Sequence, residues 1–148
     1  MKKLTITLLI LITALTFSTC TEEEVLQKNS EIVTRDAIDD FIAIENAKFS
    51  ECLQKAKAAQ VAAENDCRKK CKDTESAEYK KCICDALEAY ITALLDCGTT
   101  RREAVLKYVD DHPDTVSDPD GERTIARAAY DRVKAFTDML WEISGCKK

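Results

Sequence analysis

The chain has 148 residues, 27 of them acidic and 22 basic, for a net charge of −5, with only three glycines and two prolines. That length suits one domain, and the acidic balance excludes a nucleic-acid surface, which needs clustered positive charge. Eight cysteines against one tryptophan and four phenylalanines describe a modest, alanine-rich core that gains from covalent reinforcement.

The first residues set the compartment. Lys2 and Lys3 precede an apolar run from Leu4 to Ile12, shorter than the ~20 apolar residues that span a bilayer. An export signal over residues 1–19 is therefore expected. Its removal takes away Lys2 and Lys3 and no acidic residue, leaving 20 basic and 27 acidic residues, a net charge of −7.

Phe17-Ser18-Thr19-Cys20 resembles the lipobox of bacterial lipoproteins, in which a cysteine ends the signal and is acylated. The resemblance implies lipidation of Cys20 and a tether to one leaflet rather than a spanning segment. It departs from the pattern at Phe17, where Leu is usual, and at Thr19, where Gly, Ala or Ser is usual. Glu22, Glu23 and Glu24 resemble the acidic run after the lipidated cysteine in surface-exported lipoproteins of Bacteroidetes-like bacteria. The same residues also read as a helix start, because Thr21-x-x-Glu24 fits a capping box. Simple secretion, with Cys20 left as an ordinary thiol, is the alternative. Residues 20–30 are assigned to a short acidic tether or first helical turn, and 31–148 to a single helical domain.

With strand signals nearly absent, helix is the default. The first helical stretch runs from about Glu22 to Lys72, with Asn29-Ser30 as a possible break. Its apolar stripe is Ile38, Phe41/Ile42, Phe49, Cys52/Leu53, Ala56, Ala59, Ala63, Cys67 and Cys71. The second runs from about Glu75, capped by Thr74 or Ser76, to Cys97, with Gly98 placed to end it. A short third helix from Arg101 to Asp110 follows the capping box Thr100-x-x-Glu103 and turns Val105, Leu106 and Val109 inward. The fourth spans Pro119 to Ser144, with Asp118 as cap and Pro119 at its first position. Its stripe is Ile125, Ala129, Val133, Phe136, Leu140 and Ile143, with Trp141 one position off it, expected to pack against the first helical stretch or to form a contact surface.

An exported chain with this many cysteines is expected to form disulfides. Folding the first two helices into an antiparallel hairpin around residues 73–76 makes facing positions sum to a near-constant value. Cys71–Cys82, Cys67–Cys84 and Cys52–Cys97 give 153, 151 and 149, three nested bridges. This resembles the stapled helical hairpins of small secreted peptides, although those carry CxxxC on both arms and here the second arm has Cys82-x-Cys84. Residues two apart on a helix point about 200° apart. Either the second helix starts after Cys82, or the pairs are Cys67–Cys82 and Cys71–Cys84, or one of the two cysteines goes elsewhere. Cys146 is unassigned: it pairs with Cys20 if that residue is not acylated, or with Cys97, which frees Cys52.

No catalytic, cofactor or metal residues are expected. His112, the only histidine, has no placed nucleophile beside it and reads as a solvated loop residue. The acidic loop from Asp110 to Glu122 holds Asp118-x-Asp120-Gly121, but aligning Gly121 to the glycine of a calcium loop puts Val116 and Arg127 at ligand positions. Helix caps fit it better. Arg68-Lys69-Lys70 and Arg101-Arg102 are expected to decorate exposed helix ends. The fold class is thus all-α, a small bundle built on a disulfide-stapled antiparallel hairpin. The expected role is non-enzymatic: an exported, lipid-anchored helical envelope protein that binds an unidentified protein partner in the envelope or outside the cell as an adaptor or inhibitor. The alternative is thiol redox or metal binding at Cys67/Cys71/Cys82/Cys84.

Overall fold

The computed structural model describes residues 37–146. The expected export signal, Cys20 and the expected tether fall outside the described residues. Three helices make up the domain: α1 (Ala37–Lys70), α2 (Ala77–Asp111) and α3 (Pro119–Ser144). Among the described residues there is no strand, and no helix is long and apolar enough to cross a membrane.

Local signals explain the helix ends. Asp39 and Asp40 occupy the first turn of α1 and Arg68, Lys69 and Lys70 its last, each sign where the helix dipole favours it. Ser76 caps α2, its hydroxyl accepting from the Tyr79 amide at 3.2 Å. Asp118 caps α3, accepting from the Gly121 amide at 3.0 Å, with Pro119 following. A Cβ at position 121 would collide with the Asp118 carboxylate, so glycine keeps that cap close. Gly145 ends α3 at φ +71°, a left-handed conformation that glycine adopts without penalty. Asp118→Ala is expected to cost about 1 kcal/mol, read as a lower midpoint in urea denaturation.

The expected break at Gly98 does not occur. A single helix of 35 residues runs through Gly98, Thr100 and Glu103, so the separate third helix and its capping box are corrected. The reason is packing. A Cβ at Gly98 would lie 3.3 Å from the Tyr130 ring and 3.4 Å from Val133 Cγ1. At Gly98 α3 lies close against α2, and the missing side chain permits the approach.

Helix α2 is central. Facing positions of α1 and α2 sum to between 147 and 150, from the Phe41–Tyr108 ring stack through Asn46–Arg101 and Phe49–Arg101 to Lys57–Tyr90. Facing positions of α2 and α3 sum to between 228 and 233, from Gly98–Tyr130 to Asp110–Arg123. Both outer helices are therefore antiparallel to α2, each in one register. No Cα of α1 lies within 8 Å of a Cα of α3. Eight residues of α2 are buried, against four in α1 and two in α3, as expected for a helix packed on two sides.

The seam of α1 buries Ile38, Glu45, Ala56 and Cys67, spaced by seven or eleven residues and so on one face. Ala59, expected on that stripe, is exposed. Glu45 is the unexpected member. Its carboxylate accepts from Lys48 Nζ at 2.6 Å and faces Arg101, whose guanidinium burial pushes below its ordinary pKa while Glu45 opposes the shift. A buried carboxylate needs such partners.

In α3 the expected stripe is half-buried at Ala129, Val133, Phe136 and Leu140 but fails at its two ends. Ala126 and Thr137 are buried, whereas Ile125 and Ile143 are 58% and 55% exposed. Close approach to α2 selects small residues there, and the Thr137 hydroxyl is satisfied by the Lys134 carbonyl at 2.7 Å. At the far end, Val116 in the α2–α3 loop joins Ile38 and Val109 in one cluster, with Ile42 and Tyr108 against it. The loop thereby covers the start of α1.

Candidate functional site

Two features stand out once the helices are placed: the sulfur network and the groove between α2 and α3. Cys52 is bonded to Cys97, as the hairpin geometry implies. The expected Cys71–Cys82 and Cys67–Cys84 pairs are corrected: the alternative Cys67–Cys82 is the bridge that forms, and Cys84 goes elsewhere, to Cys146. Positions in the two α1–α2 bridges both sum to 149, so a single register serves both. The expected sums of 151 and 153 would have required it to drift.

Cys82 and Cys84 resolve their own puzzle. Lying about 200° apart on α2, they cannot both reach α1, and they do not: Cys82 turns to α1 and Cys84 to the end of α3. The CxC spacing is thus a two-sided staple at one level of the central helix. It also accounts for Cys146, which was left without a partner in the sequence. Cys71 is the free cysteine among the described residues, half-buried just beyond α1.

This arrangement bears on the alternative chemistry. Four thiolates at 67, 71, 82 and 84 would be needed for a zinc site, yet three of those sulfurs are in bridges. Among the described residues no group of three or more His, Cys, Asp or Glu is arranged to hold a metal ion. Cys82 and Cys84 are not bonded to each other, so they do not form a CxC redox pair in this state.

The groove has a volume of about 320 Å³, at the small end of the ~300–1,000 Å³ typical of ligand pockets. Ile91 and Leu95 of α2 and Tyr130 and Trp141 of α3 give it apolar walls, with Glu88, Lys134 and Asp138 as its charged members. Trp141 therefore lies at the α2–α3 junction, half-exposed, rather than against α1. The Cys84–Cys146 bridge closes the junction beyond it. The sequence signal for this site was Trp141 standing one position off the apolar stripe; the partners Glu88, Leu95 and Lys134 carried none.

The remaining expected residues have structural roles. Arg101 and Arg102 do not decorate a helix end; they sit inside α2, half-buried, Arg101 5.9 Å from the Phe49 ring centre and Arg102 4.2 Å from that of Tyr130. Cationic groups over aromatic faces bind α2 to both neighbours. In the acidic loop, Asp110 and Asp120 both hold Arg123, at 2.8 and 2.9 Å, while Asp118 caps α3. His112 caps the end of α2, its ring stacked on Tyr108, which stacks in turn on Phe41. Comparison with protein-family models, with curated proteins and with solved structures finds no match to this chain.

Proposed function

We propose that the chain is an exported, lipid-anchored helical protein of the cell envelope that acts through its surface as a binding, adaptor or inhibitory module, without bond-making chemistry of its own. Export is supported by the three disulfides, which form and persist in oxidising compartments. The anchor rests on the lipobox-like segment ending at Cys20. The single observation that carries the binding reading is Trp141, a large aromatic side chain left only partly buried in a groove closed at one end by a disulfide. Aromatic anchors in rigid pockets dominate binding energy at protein interfaces, and a preorganised frame lowers the ordering cost of association.

Two experiments test the two halves. Metabolic labelling with a fatty-acid probe is expected to mark the wild-type protein and to be lost in Cys20→Ala; labelling that persists would refute the anchor. For the surface, cross-linking in intact cells identifies the bound protein. Trp141→Ala is then expected to weaken its affinity about thirtyfold, as for an interface residue worth ~2 kcal/mol, with far-UV circular dichroism unchanged. Unaltered affinity would move the site elsewhere.

A further inference from the structure

A free thiol stands beside a bridge where α1 gives way to the turn before α2. Cys67 is bonded to Cys82, and the free Cys71 follows Cys67 by one helical turn. The Cys71 amide donates to the Cys67 carbonyl at 2.9 Å, so the helical path reaches Cys71 although α1 ends at Lys70. Residues 71–76 belong to neither helix.

We propose that Cys71 is the attacking thiol of an isomerisable bridge, which interconverts Cys67–Cys82 and Cys71–Cys82. The Cys71 thiolate attacks Cys82 Sγ and a new S–S bond forms. The Cys67–Cys82 bond breaks, and its electron pair leaves on Cys67 Sγ, which takes up the proton that Cys71 gave up. One thiol and one disulfide enter the step and one of each leaves it. No oxidant or reductant is consumed.

Geometry selects Cys82 as the sulfur attacked. A bridge from Cys71 to Cys67 would join residues four apart on a helix, whose Cβ atoms lie about 5–6 Å apart, beyond the ~3.5–4.5 Å that a disulfide spans. In the register of the two α1–α2 bridges, position 71 stands opposite position 78, about 6 Å along the axis from Cys82. The exchange therefore requires the six residues outside the helices to shift by that distance, while Cys52–Cys97 ties the rest of the hairpin. The exchange also changes what the surface presents. Cys71 is half-buried and Cys67 is 2% exposed, so isomerisation moves the free thiol from the turn into the α1–α2 seam.

The test is a cysteine map of the purified oxidised chain held at neutral pH. The sample is quenched and denatured in acid, so that burial no longer protects any thiol, then alkylated, digested and read by mass spectrometry. Two labelled species are expected: Cys71 with a Cys67–Cys82 peptide, and Cys67 with a Cys71–Cys82 peptide. In Cys71→Ser the Cys67 label and the second bridged peptide are lost, while Cys52–Cys97 and Cys84–Cys146 remain. Label confined to Cys71, a peptide joining Cys20 to Cys71, or Cys67 labelling that persists in Cys71→Ser would each overturn the proposal.

Discussion

The double variant Cys84→Ser/Cys146→Ser is expected to release α3 while α1 and α2 stay paired. Helix α3 meets only α2, and its buried residues are the small Ala126 and Thr137. Its larger apolar residues, among them Val133, Phe136 and Leu140, are only half-buried, which limits the stabilisation they supply, since that scales with the area removed from water. The bridge spans 62 residues, for which loop closure alone predicts a stabilisation of up to about 4 kcal/mol. That is a large share of the ~5–15 kcal/mol total for a domain. Trp141, the only tryptophan, lies on α3 and reports its docking. In urea, its emission is expected to shift to the red before the far-UV signal of α1 and α2 falls. Coincident transitions at the parent midpoint would show that the α2–α3 interface is strong without its staple.

Gly98→Leu is the second large effect. The added side chain enters a space where even a Cβ would stand 3.3–3.4 Å from Tyr130 and Val133. Overpacking of this kind costs typically ~1–3 kcal/mol, which lowers the melting temperature by roughly 4–8 °C per kcal/mol in a domain near this size. Gly98→Ala is expected to fall within about 1 kcal/mol of the parent, because its better helix propensity offsets the tight contact. Thermal unfolding followed at 222 nm separates the two. A Leu variant as stable as the Ala variant would mean that α3 does not depend on the gap at Gly98.

Gly98 also illustrates what could be read in advance. A glycine that ends a helix and one that admits a neighbouring helix look alike in sequence, and only the second helix's position distinguishes them. Ser76 and Asp118-Pro119 were legible because a cap acts on its own next turn and needs no tertiary partner. Cys52–Cys97 was legible because it lies far enough from the turn for the hairpin register alone to fix it. The bridges nearer the turn were not, since sums of 151 and 153 differ from the shared 149 by no more than about one helical turn. That one of Cys82 and Cys84 must leave the hairpin was open from their two-residue spacing, but its partner Cys146 was not, because the position of α3 against α2 is a tertiary fact.

Burial in α3 was misread for a related reason. Apolar size pointed to Ile125 and Ile143, but close helix contact buried Ala126 and Thr137 instead. On α1, Glu45 filled a gap in the stripe between Ile42 and Phe49. Its partner Arg101 lies 56 residues away in sequence, and nothing local announces the pair. The candidate groove was the least legible element, because its residues come from two helices whose rotation about each other was not yet known.

The crossing pattern of the bridges has a consequence for the chain as a covalent object. Cys52–Cys97 encloses both ends of Cys67–Cys82, and Cys84–Cys146 starts inside that loop and ends beyond it. Every peptide bond between Cys52 and Cys146 is therefore spanned by at least one bridge. A protease nick anywhere in that interval severs the backbone and releases no fragment.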